Sequence, residues 1–376
     1  MEIGVVGKPN VGKSTFFSAA TLAPAEIASY PFTTIDANRG VMYVRATCPH
    51  IEFETQCNPR NSQCENGTRL VPVEAIDVAG LVPDAHKGKG LGNKFLDDLR
   101  QASALIHIVD ASGATDSEGN PCEVGAHDPL DDVQFLEREI NHWIKGILFK
   151  DWHKLSKQIE MDGAKVERIL AEKLTGLGIT EGMIHAALRD ADLGEKTTQW
   201  NEEDLLSLSH HIRRHSKPMI IAANKCEIAP EENLKNLDAL KDYIVIPTCA
   251  EVELALRRAS KGDLIEYVPG SSRFNVNEGK ELSDAHQNAF KKIEHILEKI
   301  GDTGVQRCVE DAVFKLLDLI VVYPVEDETH LTDKDGRVLP DAYLMKRGAT
   351  AVDLAYKVHT ELGDNFIRAI EAKTKR

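Results

Sequence analysis

Eight consecutive residues near the start of the chain have the types and the spacing that bind a nucleoside triphosphate. The pattern G-x-x-x-x-G-K-[ST] is matched by Gly7-Lys8-Pro9-Asn10-Val11-Gly12-Lys13-Ser14. It follows an apolar run over residues 3–6 and precedes a helical pattern over residues 14–22. The glycines allow the backbone to fold around phosphate oxygens, and N–H groups at the start of the helix face the anion. We therefore predict a phosphate-binding loop.

Side chains within and after this loop are suited to phosphate and Mg²⁺. Lys13 can reach the β- and γ-phosphates, the Ser14 hydroxyl can bind Mg²⁺, and Thr15 follows it directly. A D-x-x-G element after a second apolar run is Asp77-Val78-Ala79-Gly80. In P-loop NTPases an Asp at a strand end holds Mg²⁺, and the N–H of Gly80 can meet the γ-phosphate. An Asp in an ordinary strand-end turn is the alternative interpretation.

A switch loop is predicted between the phosphate-binding loop and Asp77. The sequence there is Tyr30-Pro31-Phe32-Thr33-Thr34. A Thr in such a loop can close on Mg²⁺ and the γ-phosphate and release them after hydrolysis. We expect Thr34 rather than Thr33 to have this role, and a polar turn after Pro31 is the alternative.

Two further elements have the composition of a base-recognition site. Asn224-Lys225-Cys226-Glu227 follows an apolar run and matches N-K-x-D with Glu in place of Asp. The carboxylate of such an element accepts hydrogen bonds from guanine N1–H and from its exocyclic amine, and adenine has no matching donor pair. Lys225 and the acid favour GTP, but the extra methylene of Glu227 leaves ATP open. After the next apolar run comes the loop Thr248-Cys249-Ala250, in which we expect a backbone N–H to support base recognition.

Four residues between the predicted switch and Asp77 could bind a metal ion. They are Cys48, His50, Cys57 and Cys64, and three Cys with one His can form a tetrahedral zinc site. The C-x₂₋₄-C spacing of zinc knuckles is absent, so the sequence favours ordinary free thiols.

Strand-like apolar runs recur at residues 3–6, 73–78, 105–109, 219–223 and 244–246. Several are apolar at nearly every position, as in strands that are buried on both faces of a parallel sheet. Helical patterns lie between them, which predicts a doubly wound α/β domain with a mostly parallel sheet.

The remaining patterns divide the chain into further parts. Long amphipathic helical patterns begin at Val133, and a strand pattern over 319–325 precedes a helix with Thr350 as N-cap and Asp353 completing a capping-box-like pair. The predicted parts are a nucleotide-binding domain at 1–132 and 216–262, a helical insertion at 133–215, a helical connecting segment at 263–318 and an α+β module at 319–376.

Composition excludes several classes of protein. The chain has 376 residues and a formal net charge of −15, which argues against a surface devoted to nucleic acid, and we expect no DNA partner. No apolar run approaches a membrane span, and the chain starts at a strand pattern rather than a signal peptide. Seven scattered cysteines suit a reducing cytoplasm. Residues 346–376 contain seven Lys or Arg and four Asp or Glu, which would suit contact with RNA or with a ribosome; a solvated helix face is the alternative.

The five loop elements in this order resemble those of TRAFAC-class GTPases. The switch sequence and the run from Asp77 to Leu96 resemble the Obg family, and the whole chain resembles its YchF/Obg-like ATPase branch, especially the archaeal YchF-related GTPases. The C-terminal pattern resembles a TGS domain, a small ubiquitin-like module, although the final strand of that fold is not evident before Arg376. The resemblance implies a Mg²⁺-dependent switch that binds GTP and GDP and associates with ribosomes or RNA.

The residue that orients water in many GTPases is replaced here. Leu81 follows D-x-x-G where those enzymes have Gln, and a hydrophobic residue at this place is typical of the resembled family. The resemblance implies that Asn10 helps to bind K⁺, which would offset the developing charge. The catalytic set that we expect is Lys13, Thr34 and Gly80. A bracing role for Asn10, and a nucleotide-sensing module with negligible hydrolysis, remain the alternatives.

Overall fold

A computed structural model describes residues 1–22, 38–78, 80, 92–280 and 282–375 of the chain. The predicted switch at 30–34, Ala79 and Leu81 lie outside the described residues.

A seven-stranded sheet lies within residues 1–132 and 216–262, the segments predicted to form the nucleotide-binding domain. Its strands are β1 (Glu2–Val6), β2 (Arg39–Thr47), β3 (Gln63–Glu65), β4 (Thr68–Asp77), β5 (Ala102–Asp110), β6 (Met219–Asn224) and β7 (Ile244–Thr248). The order is β2-β4-β1-β5-β6-β7, with β3 also paired to β4. Strands β4, β1, β5, β6 and β7 run parallel, whereas β2 and β3 run antiparallel to β4. This arrangement confirms the predicted fold class, and the two antiparallel strands are additions to it.

Helices cover both faces of the sheet. They are α1 (Lys13–Thr21), α2 (Gly92–Gln101), α3 (Pro129–Phe149), α4 (Trp152–Asp162), α5 (Val166–Leu174), α6 (Glu181–Ala191), α7 (Glu202–Ser216), α8 (Glu231–Asp238) and α9 (Ala250–Lys261). Helices α3 to α7 lie in the part of the chain where the insertion is predicted, and 3₁₀ turns lie at 175–177 and 197–199. Helix α3 begins four residues before Val133 because Asp128 caps it and Pro129 occupies its first turn.

The helical insertion has a core that is continuous with one face of the sheet. Its central residues, all at most 1% exposed, are Leu136, Ile140, Ile144, Leu148, Leu205, Leu208 and Ile212, from α3 and α7. The spacing of three and four residues places them on one face of each helix. The insertion therefore rests on the sheet rather than standing apart from it.

The C-terminal third adds short strands and helices. They are β8 (Ile265–Glu266), β9 (Asn275–Val276), α10 (Asp284–Ile300), α11 (Val305–Asp311), β10 (Leu319–Val322), β11 (Tyr343–Lys346), α12 (Ala351–Val358) and α13 (Thr360–Asp364). A π-helical turn at Ala312–Leu316 follows α11. Strand β10 ends before the predicted 325, just ahead of Pro324, which has no N–H to donate. The capping box of Thr350 and Asp353 is confirmed.

The predicted connecting segment packs closely on the sheet domain. Val305 and Val309 of α11 share a core with β2 and α1. Gln306 donates from Nε2 to the carbonyl of Tyr43 at 2.8 Å, and Arg45 donates to Glu310 at 2.6 and 3.1 Å. Helix α11 is thus a further layer on the sheet.

The direction of the strands decides where a ligand can bind. The carboxyl ends of β1, β4, β5, β6 and β7 meet at one edge of the sheet, and the loops that follow them converge there. None of the described helices combines the length and apolarity that a membrane span needs.

Candidate nucleotide-binding site

A cavity of about 440 Å³ opens at the carboxyl edge of the sheet. Its lining residues are Lys8, Pro9, Asn10, Gly12, Lys13, Ser14, Thr15, Asn224, Lys225, Glu227, Ile228, Ala250 and Glu251. The structure therefore brings together residues that are more than 200 positions apart in the sequence. The volume suits a small-molecule ligand of nucleotide size. Of the lining residues, Ile228 and Glu251 were not among the predicted ones.

The loop from β1 to α1 has a backbone that requires glycine. Gly12 has φ of 93° and Asn10 has φ of 63°, both in the left-handed region. A Cβ on Gly12 would lie 2.3 Å from Nδ2 of Asn224, and one on Gly7 would lie 2.7 Å from the carbonyl of Ile108. The two glycines thus permit the close approach of the loop to neighbouring strands. Val11 is fully buried and anchors the loop in the core.

Lys13 and Asp77 form an ion pair at the mouth of this loop, in which Nζ contacts Oδ1. Their side chains are 13% and 22% exposed. Asp77 reaches this place because β4 pairs in register with β1, with Asp77 opposite Val5. The group predicted to bind phosphate and the group predicted to bind Mg²⁺ are therefore adjacent.

The remaining predicted phosphate and metal residues lie around this pair. Ser14 is exposed at the start of α1, and its hydroxyl has no hydrogen-bond partner among the described residues. A Cβ on Gly80 would lie 3.8 Å from the carbonyl of Gly7 and from Pro9. The D-x-x-G element therefore ends against the phosphate-binding loop. Thr34 and Leu81 fall outside the described residues.

Asn224 connects the two ends of the cavity. Its Nδ2 donates to the carbonyl of Val11 at 2.8 Å, and its Oδ1 accepts from the N–H of Ala250 at 3.0 Å. Both contacts are buried, and Asn224 is 3% exposed. One carboxamide thus fixes the phosphate-binding loop relative to the predicted base loop, where Thr248 is itself fully buried.

Lys225 has a partner that sequence reasoning missed. Its Nζ donates to Oδ2 of Asp110 at 2.7 Å and to the carbonyl of Asn10 at 3.1 Å. Asp110 is fully buried and also accepts from Ser112 and Thr115. The available signal was its position at the end of the predicted strand 105–109, on the same edge as the other loops. The pair holds the lysine stem along one wall of the cavity.

Glu227 presents a carboxylate oxygen with no partner. Its Oε2 is buried and makes no hydrogen bond to the described protein, although Glu227 lines the cavity. Burial raises the pKa of the neighbouring Cys249 thiol, and the Glu227 carboxylate adds to the rise through a hydrogen bond with that thiol and through its charge. A buried acceptor without a donor is costly unless a ligand supplies one.

Two predicted residues are already engaged by protein groups. The Nζ of Lys8 donates to Asp132 at 2.8 Å and to the carbonyl of Thr115 at 3.0 Å, and the side chain is 2% exposed. Only the backbone of Lys8 is therefore available to a ligand. Asn10 donates from Nδ2 to the carbonyl of Gly119 at 2.9 Å, which is the bracing role considered as an alternative to K⁺ binding.

Three family models match the chain. They are described as a 50S ribosome-binding GTPase over residues 2–146, an Obg-like GTPase YGR210-like, G4 motif-containing domain over 222–327, and a TGS domain over 329–375. The last match confirms the predicted type of the C-terminal module.

Similar proteins cover almost the whole chain. An uncharacterised GTP-binding protein of Methanocaldococcus jannaschii is 54% identical over 99% of this chain and 94% of its own length. The ribosome-binding ATPase YchF of Bacillus subtilis is 29% identical over 98% of this chain and 87% of its own. The crystal structure of a GTP-binding protein from Pyrococcus horikoshii is 46% identical, with a TM-score of 0.80 over 100% of this chain and 94% of that one.

Proposed function

Because the chain belongs to the Obg-like family of P-loop GTP-binding proteins related to YchF, we propose that it is a Mg²⁺-dependent GTPase that acts as a nucleotide-controlled switch. It hydrolyses GTP to GDP and phosphate. The observation that carries the preference for GTP is that Glu227 lines the same cavity as Lys13 and that its buried Oε2 has no hydrogen-bond partner among the described residues.

The phosphates bind at the start of α1. Backbone N–H groups of the loop from Gly7 to Thr15 face the anion, and the helix N-terminus adds a favourable dipole. On binding, Lys13 turns from Asp77 to the phosphate oxygens. This exchange keeps both charged groups paired, because Lys13 then contacts phosphate and the Asp77 carboxylate becomes available to Mg²⁺.

The residues present also fit Mg²⁺. Ser14 offers an exposed hydroxyl and Asp77 a carboxylate oxygen, which are the hard oxygen ligands that this ion prefers. Ser14, Asp77 and, by its place in the sequence, Thr34 would hold it. When bound, Mg²⁺ neutralises charge on the β- and γ-phosphate oxygens.

The base binds between the Asn224 and Thr248 loops. The Glu227 carboxylate accepts from guanine N1–H and from the exocyclic amine, and the Ala250 region closes the other side. Lys225 contributes its apolar stem, which Asp110 holds in place. Thr248 and Cys249 are buried and support the loop rather than line the cavity.

Hydrolysis without a Gln after D-x-x-G needs another source of charge stabilisation. We assign it to Lys13, to the N–H of Gly80 and to K⁺ bound beside Asn10. The amide of Asn10 donates to Gly119, so its Oδ1 is the atom left for a cation. Single-turnover hydrolysis in K⁺ and in Na⁺ tests this step, and equal rates would contradict it.

Ribosomes are the proposed partner, and the cytoplasm is the proposed compartment. The support is that the Bacillus subtilis relative is a ribosome-binding ATPase and that basic residues exceed acidic ones over 346–376. Co-sedimentation with ribosomes in GTP, GDP and no nucleotide tests this proposal. Hydrolysis with and without ribosomes separates a GTPase from a nucleotide sensor that barely turns over.

An ATP-preferring enzyme is the second candidate. It is favoured by the extra methylene of Glu227 and by the ATPase name of the Bacillus subtilis relative. Competition between GTP and ATP for the site decides between the two.

A further inference from the structure

Four side chains of types that can ligate a metal ion meet at the opposite edge of the sheet from the cavity. Cys48 directly follows β2, His50 and Cys57 lie in the loop after it, and Cys64 lies in β3. Their ligand atoms are all within 4.8 Å of one another. Strand β2 runs antiparallel to β4, so its end is far along the sheet from Asp77.

The distances fit a tetrahedral metal site. Sγ of Cys48 lies 3.9 Å from Sγ of Cys57, and Nδ1 of His50 lies 3.3 Å from Cys57 and 3.6 Å from Cys64. With Zn–S of 2.3 Å and Zn–N of about 2.05 Å, a tetrahedron has S···S edges of about 3.8 Å and S···N edges of about 3.6 Å. A disulfide needs about 2.05 Å between sulfurs, and all three cysteines are free.

A buried positive charge beside the cluster has no carboxylate partner. Arg69 is 0% exposed, and its guanidinium donates to Sγ of Cys48 at 3.4 Å, to Ser62 and to the carbonyl of Leu339. Among the described residues no carboxylate pairs with it, and its Nε has no acceptor. An isolated buried cation is unfavourable. Three thiolates, a neutral imidazole and Zn²⁺ carry one net negative charge, which would balance Arg69.

The loop that carries these residues has no regular secondary structure and almost no core of its own. Residues 48–62, all described, form neither helix nor strand, and Cys48 is the one buried residue among them. A loop of this length without a core is uncommon in a compact domain unless it is held by a cross-link or a ligand.

This loop also contacts the C-terminal module. The N–H groups of Asn58 and Arg60 donate to the carbonyls of Val338 and Pro340 at 2.8 and 2.7 Å. Arg60 pairs with Asp341. Any group that fixes the loop therefore also fixes the seat of the module.

We propose that Cys48, His50, Cys57 and Cys64 bind one structural Zn²⁺, which holds the 48–62 loop as the docking platform of the C-terminal module. Binding releases the three thiol protons to solvent, and His50 coordinates through Nδ1 with its remaining proton on Nε2. No oxidation or reduction is involved.

The test measures metal in the full chain purified without chelator. We expect one zinc ion per chain by elemental analysis, and loss of it in the double variant Cys57→Ser/Cys64→Ser. The matched control is Cys122→Ser, which changes a half-buried cysteine outside the cluster and should retain the metal.

A second measurement does not depend on the folding of a variant. The wild-type chain, stripped with a chelator under reducing conditions, is titrated with Co²⁺, which should give the charge-transfer and d–d bands of a tetrahedral thiolate site. The proposal is overturned by metal-free wild-type protein that yields no such bands while its circular dichroism is native. It is equally overturned if the double variant keeps as much zinc as the control.

Discussion

Asn224 donates from its side chain to the carbonyl of Val11 across 2.8 Å, and so joins the predicted base loop to the predicted phosphate loop. Its other carboxamide atom accepts from Ala250. Asn224, which was predicted to take part in base recognition, thus holds the two halves of the cavity at a fixed separation.

Asn224→Asp should weaken binding of every nucleoside triphosphate. The carboxylate can still accept from Ala250 but cannot donate to Val11, and it faces that carbonyl in a buried place. We expect a loss of stability of about 1–3 kcal/mol and a similar fall in affinity for GTP and ATP. Urea unfolding and nucleotide titration measure the two effects.

Asn233→Ala is the matched control for that change. Asn233 also donates from Nδ2 to a backbone carbonyl, that of Ala111 at 3.0 Å, but it does not line the cavity. It should leave affinity unchanged. A normal affinity in Asn224→Asp would show that the contact with Val11 has no part in forming the site.

Asp77→Asn should remove most of the gain in affinity that Mg²⁺ provides. The amide keeps the shape of the side chain but loses the charge that pairs with Lys13 and suits the ion. A lost charge-assisted contact is worth about 1.5–3 kcal/mol, roughly 10- to 100-fold. GTP titrations with Mg²⁺ and with EDTA measure the difference.

Glu74→Gln controls for the loss of one charge on the same strand, because Glu74 is exposed and lies outside the cavity. It should retain the full effect of Mg²⁺. If Asp77→Asn shows the same dependence on Mg²⁺ as the wild type, then Asp77 does not contribute to the ion's site.

Asn61→Ala should loosen the C-terminal module. Asn61 donates to the carbonyl of Ala342 at 3.0 Å and accepts from its N–H at 2.8 Å. Loss of both contacts should cost about 1–2 kcal/mol and speed proteolysis within residues 319–375. If zinc fixes the platform, chelation of the wild type should have the same effect.

Asn277→Ala provides the comparison for proteolysis. Asn277 donates hydrogen bonds from Nδ2 to Asp263, within the hairpin of β8 and β9. Both residues precede the module in the sequence. It should leave cleavage of the module at the wild-type rate. Unchanged cleavage in Asn61→Ala would mean that the module is held by other contacts.

Strong local signals explain why the central sheet was predictable. Strands β1 and β6 are apolar and buried at nearly every position, and the glycine spacing around Lys13 has few other uses. Strand β2 was missed because its sequence, RGVMYVRAT, mixes charged and apolar residues. Its pairing with β4 depends on contacts distant in the sequence, which local patterns do not contain.

Local patterns also explain which residues of the cavity and of the cysteine cluster could be predicted from the sequence. All the residues around the cavity except Ile228 and Glu251 were predicted from motifs, whereas the contact of Lys225 with Asp110 depends on how two loops meet. The thiols of Cys48 and Cys64 are 16 positions apart and fit no knuckle spacing, so free thiols were favoured. Only the pairing of β3 with β4 brings Cys64 back to the end of β2.

The central claim is that the Glu227 carboxylate, whose Oε2 has no partner among the described residues, accepts hydrogen bonds from guanine. Its direct test is competition between GTP and ATP for the wild type and for Glu227→Gln, with Mg²⁺ and K⁺ present. Glu251→Gln is the control, since Glu251 is exposed at the rim of the same cavity. We predict that the wild type and the control prefer GTP by about two orders of magnitude, roughly 3 kcal/mol, and that Glu227→Gln loses this preference through weaker GTP binding alone. Equal binding of GTP and ATP by the wild type, or an unchanged preference in Glu227→Gln, would contradict the account.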